Sequence, residues 1–319
     1  MKRTCMMLGA LLLGGGYAMA AQDYPSRPIN AVVAFPAGGS ADIVTRLVTD
    51  RIASTSNYRF VVENRTGAGG NIAFAAVAEA KPDGYTVLFS TPGIAINPSL
   101  YRKVNFRAEQ FRPIALIGEA PLVLMVNPKL PIKSVSELIE ASQRAPDAIR
   151  FASSGNGSSS HLAADLLRSQ SALQYLHVPY RGGTPAMTDV IGGQADITML
   201  PISESLPYIK EGRLRALGQT GAQRSPIAPD IPTIAEGGVK GYATTTWYMV
   251  LGPRDMPDAA VEDLRAQISR VLSMPDLRQR LQQAGVSVID GDPRQAGEFL
   301  AKETARWAAA IKASGTRLD

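Results

Sequence analysis

The segment INAVVAFPAGGS, residues 29–40, decides how the rest of this chain reads. Ile29 to Phe35 is a compact, largely apolar run, short enough for a buried strand. Pro36, Ala37, Gly38 and Gly39 end it in a turn. Ser40 then stands where a helix N-cap is expected, Asp42 falls in the first turn, and Ile43, Leu47 and Ile52 recur along one side. A buried strand, a glycine turn and an amphipathic helix in immediate succession form the first half of a β-α-β unit.

Working outward, the pattern repeats. Phe60–Glu63 reads as a second strand, Gly67 to Gly70 as a loop, and the alanine-rich Asn71–Ala80 as a helix. After the turn Pro82-Asp83-Gly84 comes a third strand, Tyr85–Ser90. This β-α-β-α-β opening argues for a parallel sheet with helices on both faces. Further strands are expected at Pro121–Val126, Ile149–Ala152, Tyr175–Pro179, Ala195–Leu200, Leu214–Gln219 and Thr244–Leu251. Between them, Ser134 to Glu137 matches a capping box, a helix is expected at His161–Ser169, and Thr184-Pro185 fits an N-cap before a helix running to Ile191. The chain closes on helices at Pro257–Leu272, Leu277–Ala284 and Pro293–Ala313. The expected fold is α/β in two lobes, each a mainly parallel sheet flanked by helices. Residues 21–123 and 218–319 form one lobe and residues 124–217 the other, with crossings near Leu122–Asn127 and near Gly218. Ligands of open α/β sheets sit beyond the carboxyl ends of the strands, here the cleft between lobes.

Residues 1–20 read as a secretory signal: Lys2 and Arg3, an apolar stretch from Leu8 to Tyr17, and the small-x-small site Ala18-Met19-Ala20, with cleavage before Ala21. The stretch is too short and too rich in glycine to span a bilayer, and Cys5 lies far upstream of a lipoprotein cleavage point. That address places the mature chain in the periplasm. Cys5 is the single cysteine, so the cleaved chain has no disulfide, thiol nucleophile or cysteine-ligated metal. The formal charge is +5, and loss of Lys2 and Arg3 leaves +3. No run of five basic residues occurs, which argues against nucleic acid as a partner. The mature chain is expected to be a soluble monomer.

Three loops follow a strand, precede a helix and are rich in glycine or hydroxyls: Phe35 to Ser40; Ser153 to Ser160, with Ser154, Gly155, Asn156, Gly157, Ser158 and Ser159; and Tyr180 to Thr184, with Gly182 and Gly183. A helix N-terminus leaves N–H groups unpaired at the positive end of the dipole, and glycine lets a ligand approach them. Such loops hold a carboxylate without Lys or Arg. Ordinary strand-to-helix turns have similar composition; three at like positions favour a site. Ser90 and Thr91, at the end of the third strand, face the same cleft, and His161 is a candidate donor to a ligand. Tyr180 is expected to line the cleft. Asp196 is read as structural, while the facing of Arg181 is left open.

Enzyme motifs fail on spacing. Gly67-x-Gly69 is followed by Ile72 and Gly155-x-Gly157 by Ser160, so neither completes a dinucleotide fingerprint. No phosphate-binding loop or G-x-S-x-G elbow occurs. The two histidines, His161 and His177, fit no metal-ligand spacing. No cofactor, metal or catalytic residue is therefore expected. One enzymatic alternative remains, an esterase or amidase using Ser158 and His161, three residues apart.

The chain resembles the Bug-type, TctC-like extracytoplasmic solute receptors of tripartite tricarboxylate transporters. The resemblance is carried by YPSRPI (24–29), FPAGG (35–39), VENR (62–65) with GAGG (67–70), PDGYT (82–86), INPSLY (96–101), VPYRGG (178–183) and PTIAE (232–236), in that order. It implies a two-lobed periplasmic binding fold that closes on a ligand, and a partner permease with one large and one small membrane subunit. It also implies a small carboxylate ligand: a di- or tricarboxylate, an acidic amino acid or an aromatic acid. In the family that carboxylate is held by loops that map onto Phe35 to Ser40, Ser90-Thr91, Ser153 to Ser159 and Tyr180 to Gly183. A sensor for a membrane kinase has the same architecture and stays open as an alternative. One departure stands out: YATTTWY (242–248) places Tyr248 where relatives commonly carry a small residue.

Overall fold

The computed structural model describes residues 24–145, 148–314 and 317–318; the expected signal segment and its cleavage point lie outside them. The chain begins β1 (Ile29–Val33), α1 (Ser40–Thr55), β2 (Phe60–Asn64), α2 (Asn71–Ala78), β3 (Thr86–Ser90), α3 (Gly93–Leu100) and β4 (Phe111–Ala120). It continues β5 (Leu122–Val126), α4 (Val135–Arg144), β6 (Arg150–Ser153), α5 (Ser159–Gln170), β7 (Leu176–Pro179), α6 (Gly183–Gly192), β8 (Ile197–Pro201), α7 (Ile202–Lys210) and β9 (Arg215–Gln219). It ends with β10 (Thr246–Pro253), α8 (Asp258–Leu272), α9 (Pro275–Gln283), β11 (Ser287–Gly291) and α10 (Pro293–Ser314).

Two mixed sheets result, with strand orders β11-β4-β10-β3-β1-β2 and β7-β6-β8-β5-β9. The β-α-β segments pair in parallel, β1 with β2 and β3, and β6 with β7 and β8. The antiparallel remainder comes from β4, β10 and β11 in the first sheet and from β5 and β9 in the second. Sheet membership changes at Pro121, between β4 and β5, and again between β9 and β10.

Each sheet is apolar on both faces. In β1, Ile29, Ala31 and Val33 pack with Val44, Val48 and Ile52 of α1 and with Val261 and Leu264 of α8. Val32 points the other way, to Phe74 of α2, Ile94 of α3 and Leu300 of α10. In β5, Leu122, Leu124 and Val126 face Leu138 and Leu167, while Val123 and Met125 face Ala186, Met187 and Val190 of α6. This period-two alternation between two buried faces is the signature of a sheet covered by helices on both sides. Across the lobes, Leu162 of α5 packs with Ile96, Leu100, Trp307 and Ile311 of the first lobe.

Ser134 caps α4 as its spacing predicts, accepting from the Glu137 N–H at 3.1 Å, although the Glu137 carboxylate bonds the N–H of Lys133 instead of that of Ser134. The other two predicted caps move by one or two residues. Gly39 caps α1 and Gly182 caps α6, with no side-chain cap bond at either. Ser40 is thus the first residue of α1, and Thr184 lies inside α6. Both helices begin at the cleft, and for α1 the partner of the Ser40 N–H comes from outside the local segment, from Glu204.

Candidate ligand-binding site

Helices α1, α5 and α6 start at the carboxyl ends of β1, β6 and β7, and their N-termini border one cavity of about 60 Å³ between the lobes. The first lobe supplies Phe35, Pro36, Gly39, Ser40, Ala41 and Thr91, together with Thr246 at the start of β10. The second lobe supplies Ser154, Ser158, Ser159, Ser160, Gly183, Thr184 and Pro185, with Leu200, Pro201 and Glu204 from the end of β8 and the first turn of α7. A wider opening of about 600 Å³ shares Phe35, Pro36 and Ser154 and is walled further by Gly155, Asn156, Tyr180, Arg181 and Gly182.

Of the residues expected at the site, Phe35, Pro36, Gly39, Ser40, Thr91, Ser154, Ser158, Ser159 and Gly183 line the cavity. Gly155, Asn156, Tyr180 and Gly182 line the opening beside it. Ala37, Gly38, Ser90, Gly157 and His161 line neither. The reasons are local. Gly38 sits in the turn at φ +80°, and its N–H is given to Asp42 at 3.0 Å. Ser90 bonds the carbonyl of Thr91. Tyr180 gives its hydroxyl to Asp189 at 2.6 Å, which anchors it to α6. Asp196 pairs with Arg150 through both oxygens, a structural role.

The two histidines support the serine loop from behind. His161 is 3% exposed, and its Nδ1 accepts the Gly157 N–H at 3.3 Å. That leaves the ring proton on Nε2, 3.4 Å from Asp165. Its ring stacks on His177 at 4.2 Å, and His177 Nε2 bonds Ser153 Oγ at 2.7 Å. Burial first, then the charge of Arg168, holds His161 down to about 4 despite the nearby Asp165. Burial and then His161 hold His177 down to about 3. Both rings are neutral above those values. The alternative Ser158–His161 pair does not meet as nucleophile and base: Ser158 Oγ donates to the Gly155 carbonyl at 2.6 Å and accepts the backbone N–H of His161, capping α5.

Two hydroxyls on the cavity wall are buried without a hydrogen bond among the described residues: Thr91 Oγ1, in a residue 5% exposed, and Ser160 Oγ, in a residue 1% exposed. The Tyr248 hydroxyl is buried as well, with the Ser40 side chain as its polar neighbour. An unpaired buried hydroxyl costs about 1–3 kcal/mol, so those of Thr91 and Ser160 are set for a partner. The sole ionisable side chain on the cavity wall, among the described residues, is Glu204. Its Oε1 accepts the Ser40 N–H across the cleft at 2.7 Å. A Cβ built on Gly183 would lie 2.2 Å from its other oxygen. The carboxylate thus sits between the N-termini of α1 and α6. The residue keeps partial exposure, yet its carboxyl is closely surrounded, and that burial raises its pKa against the opposing pull of Ser40.

Sequence reasoning missed Glu204 and Thr246; Ser160 and Thr184 close two of the candidate loops but were not singled out as contacts. For Glu204 the available signal was position: it follows directly on the carboxyl end of β8, where ligand contacts gather in α/β sheets.

Two helix-flanked sheets joined at two crossings, with helix N-termini from both sides meeting at the cleft, define a two-lobed periplasmic binding protein. Within that class, the family model described as "Tripartite tricarboxylate transporter family receptor" matches residues 44–316, and the chain belongs to this family. It is 33% identical over 328 residues to the protein BugT of Bordetella pertussis, covering 100% of this chain and 99% of that one. It resembles the structure of R. palustris Rpa4515 with adipate, at 33% identity and TM-score 0.89, covering 93% of this chain and all of the other. MatC from Rhodopseudomonas palustris with bound malate matches at 32% identity and TM-score 0.85, over 90% of this chain and all of that one.

Proposed function

We propose that this protein is a periplasmic receptor that captures a small carboxylate between its lobes and delivers it, unchanged, to a membrane permease with one large and one small subunit. One observation carries the reading: the N-termini of three helices from two lobes border a single cavity that also holds two unpaired buried hydroxyls and no cationic side chain among the described residues. Helix N-termini and dipoles of that polarity bind anions. The adipate and malate bound by the two R. palustris relatives support this choice of ligand class. The hinge falls where sheet membership changes, at Pro121 and between Gln219 and Thr246, so that closure brings Ser40 and Thr91 toward Ser159 and Ser160. Closure follows ligand binding because contacts to both lobes exist in the closed form alone.

The test is thermal unfolding of the mature chain, stripped of ligand by unfolding and refolding, against dicarboxylates, tricarboxylates, amino acids and aromatic acids. A ligand at 100 times its Kd adds about 2.7 kcal/mol. A clear shift with one chemical class of acid is expected; no shift with any acid, alongside a shift with a neutral solute, would reject the carboxylate reading.

A further inference from the structure

The anion-binding ends of α1 and α6 already face a carboxylate that belongs to the chain. Glu204, in the first turn of α7, reaches across the cleft to the Ser40 N–H at 2.7 Å. Gly183 permits its approach, since an added Cβ there would strike Oε2, whereas one at Gly39 would make only an ordinary contact with Oε1 at 3.7 Å. Among the described residues no Lys, Arg or His lies against it, and no other charged side chain lines the cavity.

The electrostatics of the cavity are therefore mixed. Three helix N-termini contribute roughly half a positive charge each. An ionised Glu204 cancels about two-thirds of that sum and leaves roughly half a positive charge, enough for one ligand carboxylate and not for two. A second ligand carboxylate placed here would meet a like charge in a desolvated site. A ligand bearing one carboxylate and one cationic N–H group finds a complement for both. Thr91 Oγ1, Ser160 Oγ and the N-terminus of α5 serve the carboxylate, and Glu204 accepts from the nitrogen. Pairing with a cation would also relieve the burial that now raises the Glu204 carboxyl.

We propose that Glu204 is a specificity determinant that selects ligands carrying an ammonium group beside their carboxylate, the amino-carboxylate class, over plain dicarboxylates of similar size. This rests on the carboxylate-receptor reading above and narrows it.

Calorimetry with matched pairs tests it: amino acids against their deaminated analogues, such as aspartate with succinate and glutamate with glutarate, on wild type and Glu204→Gln. The amide keeps an oxygen for the Ser40 N–H and removes the charge. Unfolding curves that match the wild type establish that the variant is folded. At least one amino-carboxylate is expected to bind tenfold or more tightly than its deaminated partner. Glu204→Gln should erase that preference by lowering the affinity for the amino-carboxylate and raising that for its deaminated partner. Equal binding of both members of every pair by the wild type would overturn the proposal and leave the carboxylate receptor standing. So would a loss in Glu204→Gln shared equally by both members, which marks a latch between the lobes. Failure of every acid to bind, with a neutral solute binding, would remove both readings.

Discussion

Replacing Thr91 with valine should move stability and affinity in opposite directions. Thr91 is 5% exposed and its hydroxyl has no hydrogen-bond partner among the described residues. Valine has nearly the same shape and no donor. Removing an unpaired buried hydroxyl recovers up to about 1–3 kcal/mol of desolvation cost, so the ligand-free protein should be unchanged or more stable. A hydrogen bond from a hydroxyl to a charged carboxylate contributes about 1.5–3 kcal/mol, which corresponds to a loss of roughly 10- to 150-fold in affinity. Urea unfolding with an unchanged m-value gives the first quantity, and calorimetry with the best ligand of the panel gives the second. A Thr91→Val variant that loses more than about 1 kcal/mol of stability yet binds with wild-type affinity would refute the reasoning, because the hydroxyl would then be structural.

Three further outcomes are expected. Gly69→Ala should weaken ligand binding, because Gly69 has φ +62° and an added Cβ would sit 2.1 Å from the Asn156 carbonyl oxygen across the cleft; the fold should lose about 1–2 kcal/mol from the left-handed backbone, and small-angle scattering should show no compaction with ligand. Retained affinity and compaction would show that the lobes do not meet there. Stability should fall as pH drops below the ordinary histidine value of 6.5, since the unfolded chain takes up protons that the folded chain, with His161 near 4 and His177 near 3, refuses; each contributes a slope of up to about 1.4 kcal/mol per pH unit. Urea unfolding between pH 6.5 and 5 should show that slope roughly halved in His177→Phe, and an unaltered slope would assign the acid sensitivity elsewhere. Ser158→Ala should cost about 1–2 kcal/mol through loss of the α5 cap without changing hydrolysis of chromogenic esters, whereas a drop in hydrolysis would revive the esterase alternative.

The β-α-β segments were legible because strand, glycine turn and amphipathic helix follow one another without interruption from Ile29 and again from Arg150. The elements left unread carry a proline or lie at an edge. β4 contains Pro113, α3 contains Pro98 and α7 contains Pro207, and each breaks the periodicity on which pattern reading depends. β11 is an edge strand with an irregular register. Losing β4, β10 pairing and β11 hid the antiparallel half of the first sheet. The site was legible where backbone chemistry makes it, at the starts of α1, α5 and α6. It was hidden where a side chain comes from afar: Glu204 is separated from Ser40 by 164 positions, and a lone glutamate in a polar stretch reads as surface. The same distance explains the displaced cap of α1. Ser40 needs no local cap, because Glu204 supplies its acceptor from the other lobe.

A crystal structure of the protein with the tightest-binding acid of the panel tests the central claim most directly. A ligand carboxylate is expected within hydrogen-bonding distance of Thr91 Oγ1 and Ser160 Oγ, at the N-terminus of α5, with the lobes closed over it. A ligand seated elsewhere, for example in the surface hollow among Pro98, Tyr101 and Arg317, with Thr91 and Ser160 still unpaired, would contradict it.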